Sequence, residues 1–322
     1  MAIHDLGYRP WTGSRAADIT GSLVIARIGI RRAWQSRWLR RLLLLAWLPA
    51  VWFGAGFFFW EQWLLHPEVR DKVQFVLLKI PYTNQLISIL RGPEDPTQMR
   101  HAIWAWLLQS FFRYPQGVIM VLAVGLIAPQ LISQDVRSRA FLLYFSRPLS
   151  RFEYLLGKIA TVWFYLAMIA TLPALVLYIL GIFLSPSLDV VQATWDLPLR
   201  ILIASAVLMI PTASLALCIS SLTQESRYAG FAWFAIWILG WFTYGVLSSL
   251  DSMARQPAAH QVADHVTGWS HLSLYHTLGQ VQRWVFGFAS FQESQTSAAL
   301  LVAITIVSIT ILMRRTAAPM RA

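Results

Sequence analysis

The sequence predicts an all-α polytopic membrane protein with six transmembrane helices. An interfacial helix precedes the first, a short amphipathic helix joins the second and third, and a helical hairpin dips into the outer leaflet before the sixth. Three observations carry this. Hydrophobic residues make up 57% of the 322 and charged residues only 13%, about half the charged share of a soluble domain. Charge-free runs recur along the chain at close to the roughly 20 residues needed to cross the hydrocarbon core. Of the 26 Lys and Arg, 17 fall in alternate connections and at the two ends, which places those connections and both termini in the cytoplasm.

Residues 1–41 form a cytoplasmic N-terminal segment with eight Arg and only Asp5 and Asp18 as acids. From Ile19 onward, Leu23, Ile30, Trp34 and Trp38 share one helical stripe, interrupted by Arg27, and predict an amphipathic helix in the interface. A disordered basic tail is the alternative, and the paired Trp argue against it. With basic residues scattered through the segment and no apolar core before Leu42, a cleavable signal peptide is not expected.

The spans are 42–60, 115–133, 159–184, 201–222, 228–250 and 296–313, so 42–313 is the transmembrane domain and 314–322 a cytoplasmic tail. Residues 61–100 carry mixed charge and four Pro, and read as one or two outer surface helices. The apolar run 102–112 is too short to cross. Arg113-Tyr114-Pro115 separates it from the second span, of which it is a kinked or interfacial extension, with Arg113 near the outer surface and able to snorkel. Pro173 tilts or kinks the third span. Residues 272–291 are largely apolar but include His276 and Arg283, which makes a partly inserted hairpin cheaper than a further crossing.

The stretch 133–158 holds five of the Lys and Arg between two spans. Ser133 fits an N-cap, Asp135 suits the first turn of a helix dipole, and Arg139 lies one turn on, within reach of Asp135. Phe141, Leu142 and Phe145 follow at helical spacing, and Pro148 disfavours helix at Arg147. By itself this is a short amphipathic helix, and packing on lipid headgroups is one reading of it.

The order of an acidic residue, a short helix, Ser146-Arg147-Pro148-Leu149-Ser150-Arg151 and then Gly157-Lys158 entering an apolar run resembles the cytoplasmic coupling helix of one family. That family is the type-two subfamily of ATP-binding-cassette transporter permeases. Asp135 stands where the family usually has Glu, and Ser138-Arg139 where a small pair often follows. The resemblance implies the transmembrane permease subunit of an exporter in the bacterial cytoplasmic (inner) membrane. The N-terminal interfacial helix would be its elbow helix and the outer hairpin its re-entrant hairpin. Asp135, Val136, Arg137, Arg139, Phe141, Leu142, Phe145 and Arg147 would dock a separate ATP-hydrolysing nucleotide-binding subunit. ATP and Mg would reside in that partner, with no cofactor in this chain, and a second copy or a similar permease would complete the assembly.

The search for chemistry within the chain points the same way. Gly157-Lys158 is no Walker cradle, because Phe152 replaces the first Gly and Ile159 follows the Lys. No Gly-rich dinucleotide loop, His-Glu-x-x-His or Gly-x-Ser-x-Gly occurs, so the chain is not expected to be an enzyme by itself. Cys218 is the single cysteine, which excludes an intramolecular disulfide. His260, His265, His271 and His276 cluster at spacings of five, six and five, unlike the three or four that sets two imidazoles on one helix face, so outer-loop metal binding is weakly supported against ordinary polar histidines. The net charge of +11 flanks the spans and reads as membrane-surface attraction rather than nucleic-acid binding.

Within the spans, Thr212, Ser214, Ser220, Thr243 and Tyr244 supply hydroxyls to otherwise apolar surfaces and are the candidates for a pathway that carries a hydrophobic or amphipathic substrate. An intramembrane enzyme or ion-coupled carrier is the alternative function. It would ordinarily place ionisable groups inside the spans, and these six runs contain none.

Overall fold

A computed structural model of the chain describes residues 19–65, 96–140, 149–185, 189–254 and 268–317. Among these residues the regular elements are all helical. They are α1 (Ile19–Trp34), α2 (Arg37–Leu65), α3 (Pro96–Phe111), α4 (Gly117–Arg137), α5 (Arg151–Leu166), α6 (Leu172–Leu184), α7 (Asp189–Ala193), α8 (Leu197–Leu222), α9 (Ser226–Ala254), α10 (Leu274–Val285) and α11 (Phe291–Ala317).

Two of the helical rods are composites. A π turn at Phe112–Gln116 joins α3 to α4, and a second at Ala167–Thr171 joins α5 to α6. Pro115 lies inside the first and Pro173 two residues beyond the second. A proline ring cannot follow a regular α-turn without striking the preceding carbonyl, and one widened turn relieves the clash without ending the helix. Residues 102–112, which are too short to cross alone, thereby become the first half of a 41-residue helical segment, Thr97–Arg137.

Among the described residues, six helical segments are long and apolar enough to cross a membrane: Arg37–Gln62, Thr97–Arg137, Arg151–Leu184, Leu197–Leu222, Ser226–Asp251 and Phe291–Thr316. They extend past the charge-free runs at several ends, so Glu61, Arg113, Asp135, Lys158 and Arg200 all lie on these helices. The helices differ in role. In α4 and α8 67% of the most apolar window is buried within the chain, whereas in α9 the share is 11% and in α11 22%. The first pair lies inside the bundle of described helices, and the second pair is mostly exposed on it.

The α4–α8 contact is fixed by one hydroxyl. Ser220 on α8 accepts hydrogen bonds from the Ile132 and Ser133 amides and donates to the Pro129 carbonyl at 2.9 Å. The Ser133 amide, which would ordinarily serve the Pro129 carbonyl, is turned to Ser220 instead, and the Ser220 hydroxyl donates to that carbonyl in its place.

Apolar packing falls into two clusters. One, around Ile127, Leu131, Tyr154, Tyr165, Leu217 and Trp233, lies toward the end of the bundle that carries α1. The other, at the far end, is aromatic. Trp104 sits edge-on to Phe57 at 5.2 Å and to Tyr178 at 5.9 Å, and Phe112 lies 6.1 Å from Phe286. Such tilted arrangements suit the ring quadrupole.

Two local expectations are corrected. Ser133 is not an N-cap, because α4 runs on to Arg137 and the Ser133 hydroxyl donates back to the Pro129 carbonyl one turn earlier. Nothing between Leu131 and Arg137 breaks a helix, so a second start there is unnecessary. The Leu23–Trp38 stripe is also broken, since α1 stops at Trp34 and Trp38 begins α2. The face of α1 that packs on the bundle is Ser22, Ala26 and Gly29, and Leu23, Trp34 and Trp38 are exposed.

Candidate functional site

The end of the bundle that carries α1 gathers the residues singled out between 133 and 158. Asp135, in the last turn of α4, and Lys158, two turns into α5, are both buried and pair at 2.6 Å. Tyr154 donates its hydroxyl to the same Asp135 oxygen at 2.7 Å, and Lys158 also donates to the Leu131 carbonyl at 2.7 Å. Tyr154 and Lys158 are four residues apart, hence on one face of α5. The two helices that flank residues 138–150 are therefore clamped together where they border that segment.

This replaces the expected Asp135 to Arg139 pair. Asp135 points into the bundle, whereas Arg139 is exposed and adopts φ +51°, beyond the end of α4. The turn is closed by the Ala140 amide, which donates to the Asp135 carbonyl at 3.0 Å. At the start of α5, Ser150 and Glu153 form a reciprocal capping box, with the Ser150 amide donating to Glu153 at 2.7 Å. Arg137 is exposed and pairs with Glu225 in the α8–α9 turn at 3.1 Å, and Val136 is half-buried against the core. Among the docking candidates, Phe141, Leu142, Phe145 and Arg147 lie outside the described residues.

Helix α1 is fastened to α5 along a seam of small residues. A Cβ built on Gly157 would lie 2.7 Å from the Ser22 carbonyl oxygen and 2.8 Å from the Ile25 Cβ. The absent side chain lets the two backbones touch, the usual means of tight helix pairing where lipid removes the hydrophobic drive. Tyr165 then donates to the Ile30 carbonyl at 2.7 Å, and Trp34 stacks on the Tyr165 ring with centroids 6.4 Å apart.

The pathway candidates do not converge on one cavity. Thr212 and Ser214 are buried in α8 and donate to the Leu208 and Pro211 carbonyls of their own helix, and Ser220 forms the α4 contact described above. Thr243 and Tyr244 lie on α9, half-buried, toward the far end. Tyr244 stacks on the His276 ring with centroids 3.5 Å apart.

His276 belongs to a cluster that the sequence did not resolve. Arg113, in the π turn, donates to the Tyr275 carbonyl and lies over the Tyr275 ring at 3.8 Å, and Tyr275 donates to the Arg113 carbonyl at 3.0 Å. Instead of snorkelling, Arg113 packs into α10 against Gly279, where a larger residue would collide with the guanidinium. Burial, with the Arg113 charge beside it, pushes the His276 pKa down to about 4, so the ring is neutral near pH 7. His271 bonds Thr296 and Ser297, while His260 and His265 lie outside the described residues. No three potential ligands among the described residues are placed to hold a metal ion.

A polar knot at the far end yields a pH prediction. Asp196 accepts from His101 at 2.9 Å and from Arg200 at 2.6 Å. Burial acts to raise its pKa, but these two partners outweigh burial and hold it below the usual carboxylate range. A depressed carboxylate contributes stability above its unfolded pKa and loses it as pH falls through the folded one. Asp196→Asn should therefore cost about 1 kcal/mol at pH 7, and the gap to the parent should close below the ordinary aspartate range of about 4. Thermal unfolding of the purified chain across that range measures it, and a gap that does not depend on pH would contradict the ion-pair reading.

No curated protein matches the chain. The family model described as ABC-2 family transporter protein matches residues 38–316, from the second residue of α2 to the last turn of α11. With all six candidate spans inside or at the edge of that match, the chain belongs to the ABC-2 transporter permease family and is a multi-pass membrane protein.

Proposed function

We propose that the chain is the transmembrane permease subunit of an ATP-driven exporter. In this reading α1 is the elbow helix lying in the cytoplasmic leaflet, residues 138–150 are presented to a separate nucleotide-binding subunit, and α10 with the preceding turn is the re-entrant hairpin of the outer side. The partner holds ATP and Mg. Two permeases assemble through helix faces that the described chain leaves uncovered, and α9, with 11% of its most apolar window buried, is the least covered of the six spans.

The observation that carries this reading is the buried clamp at the base of the loop. A loop that receives a push must not absorb it locally, and Asp135, Lys158 and Tyr154 tie both of its roots to one rigid unit. Movement at the loop then becomes movement of α4 and α5, with α1 riding on α5, which is a rigid-body device of the kind that alternating access needs. Asp135 acts in this scheme as a positioning residue, whereas Arg137 and Arg139 are the exposed charges available to the partner.

The substrate is hydrophobic or amphipathic, since the exposed faces of the described helices are rich in Leu, Ile, Phe and Trp. The test is ATP hydrolysis by the chain reconstituted with its nucleotide-binding subunit. Lipids, lipopeptides or hydrophobic drugs should stimulate it, and sugars or metal ions should not. Arg139→Glu should abolish the stimulation and weaken retention of the ATPase in detergent. Full stimulation by a small hydrophilic solute would refute the substrate class, and unchanged retention in the Arg139→Glu variant would refute the docking site.

A further inference from the structure

A cleft opens on the surface beside the clamp, between α1, the start of α2, α4 and α5. Its void is about 110 Å³, well under the roughly 300 Å³ that begins to suit a drug-sized ligand and closer to the size of one headgroup. The lining is divided. Ile28 and Leu126 form an apolar lip exposed to the surroundings, and Arg32, Ser36 and Gln130 form a polar lip beside it. Asp135 and Lys158 lie at its floor.

The charge at this cleft is not balanced. Asp135 is matched by Lys158, and Arg32, although close to that pair, forms no ion pair among the described residues. Arg27, Arg31, Arg37 and Arg40 are also exposed on α1 and the start of α2, outside the lining of the cleft, and make this end of the chain basic. An anion is therefore attracted, and the apolar lip beside the cation asks for an anion that carries hydrocarbon.

We infer that this cleft binds one anionic phospholipid, with the headgroup phosphate at Arg32 and the upper acyl chain along Ile28 and Leu126. A free phosphate satisfies the cation but leaves the apolar lip unused. A zwitterionic lipid satisfies the lip but brings its own cation to a site that already has an excess. Since the floor is the Asp135 and Lys158 pair, the lipid lies between α1 and the clamped ends of α4 and α5, and its presence stiffens the part of the chain that the proposed function uses for coupling. The inference takes from that function only the placement of α1 in a leaflet with anionic lipid.

The test is binding, and it requires no partner subunit. The full chain, purified in mild detergent, is titrated with phosphatidylglycerol, and bound lipid is counted by native mass spectrometry. One molecule should bind more tightly than the rest. Arg32→Gln should weaken that molecule about fivefold, the usual worth of one basic side chain at an anionic surface, and Arg27→Gln, which removes the same charge outside the cleft, should leave it unchanged. Ile28→Trp, on the exposed lip, should also reduce the occupancy without removing a charge.

Phosphatidylcholine and millimolar inorganic phosphate should fail to displace the molecule. Equal losses from Arg32→Gln and Arg27→Gln would mean diffuse attraction and overturn the inference. Displacement by inorganic phosphate would convert the site to a free-anion site and overturn it too. If a second copy of the chain covered the cleft, no tight molecule would be counted on the dimer, and the inference would fail in that way as well. These outcomes leave exporter activity undetermined, so failure here and failure of the transport reading are separate results.

Discussion

Replacing Asp135 with Ala should destabilise the protein by about 3–5 kcal/mol, because it strands a buried ammonium whose charge is no longer matched. Lys158 would keep the Leu131 carbonyl and the face of the Tyr154 ring at 5.2 Å, and the Tyr154 hydroxyl would lose the Asp135 carboxylate. The size of the effect follows from burial: the Asp135 and Lys158 side chains are each only 9% exposed. The Arg137 to Glu225 pair nearby is 66% and 46% exposed, and its removal should cost no more than about 1 kcal/mol. The measurement is thermal unfolding in detergent.

A triple replacement, Asp135→Leu with Tyr154→Phe and Lys158→Met, removes all three polar groups together and should recover most of the loss, since a buried ion pair is often no better than apolar packing of similar volume. If the single variant melted with the parent, the pair would not be holding the roots of the loop. A triple variant as unstable as the single one would mean that packing, not unmatched charge, sets the cost. The clamp predicts a further split: the recovered triple variant should fold and still retain the ATPase through the exposed Arg137 and Arg139.

How much of this was legible beforehand depended on the kind of signal. The spans were legible because charge-free runs of bilayer length have few other physical solutions. The stretch 133–158 stands out in the sequence by its charge, but the pairing its local spacing suggests is not the one the structure makes. Asp135 and Arg139 satisfy a local i,i+4 rule, whereas Asp135 and Lys158 meet only when two helices fold side by side, a contact of long sequence separation that periodicity does not encode. One local clue did exist, since Tyr154 and Lys158 share a face of α5 with Leu155 and Val162 close by. A cation on an otherwise buried face asks for a buried anion, and Asp135 is the nearest acid before it that does not belong to the capping box.

The α1 helix shows the opposite case. Its stripe was chosen by hydrophobicity, and the structure packs it by size, with Ser22, Ala26 and Gly29 inward and Leu23 and Ile28 outward. In a bilayer the large apolar residues lose nothing by facing lipid, so the small ones decide which face pairs. The Arg113 cluster was hidden for a third reason. Arg113 and Tyr275 are 162 residues apart, and the π turn that aims Arg113 at α10 is readable only as a proline in an apolar run.

Gly157→Leu should detach α1 from the bundle while leaving the six spans in place. The first atom of the new side chain would meet the Ser22 carbonyl oxygen at 2.7 Å, and backbone, unlike a flexible side-chain end, has no rotamer to retreat into. Overpacking of this kind costs about 1–3 kcal/mol, and here the least costly response is for α1 to lift away and surrender the Tyr165 to Ile30 hydrogen bond and the Trp34 stack.

Accessibility of a cysteine placed at Ala26, buried on the α1 side of the seam, reads this directly in a background with Cys218 replaced by Ala. A membrane-impermeant maleimide should label it slowly in the parent and at least about tenfold faster with Gly157→Leu, since a loss of 1.4 kcal/mol raises the open population tenfold. Gly245→Leu is the control, because a Cβ there meets nothing within 4 Å, and it should leave the labelling rate unchanged. Equal protection of the Ala26 position in all three backgrounds would show that α1 is held by something other than the glycine seam. If protection is lost, ATP-dependent stimulation should fall with it even though the loop and its clamp are untouched, because the rigid unit that converts loop movement into movement at the membrane would have lost its outermost helix.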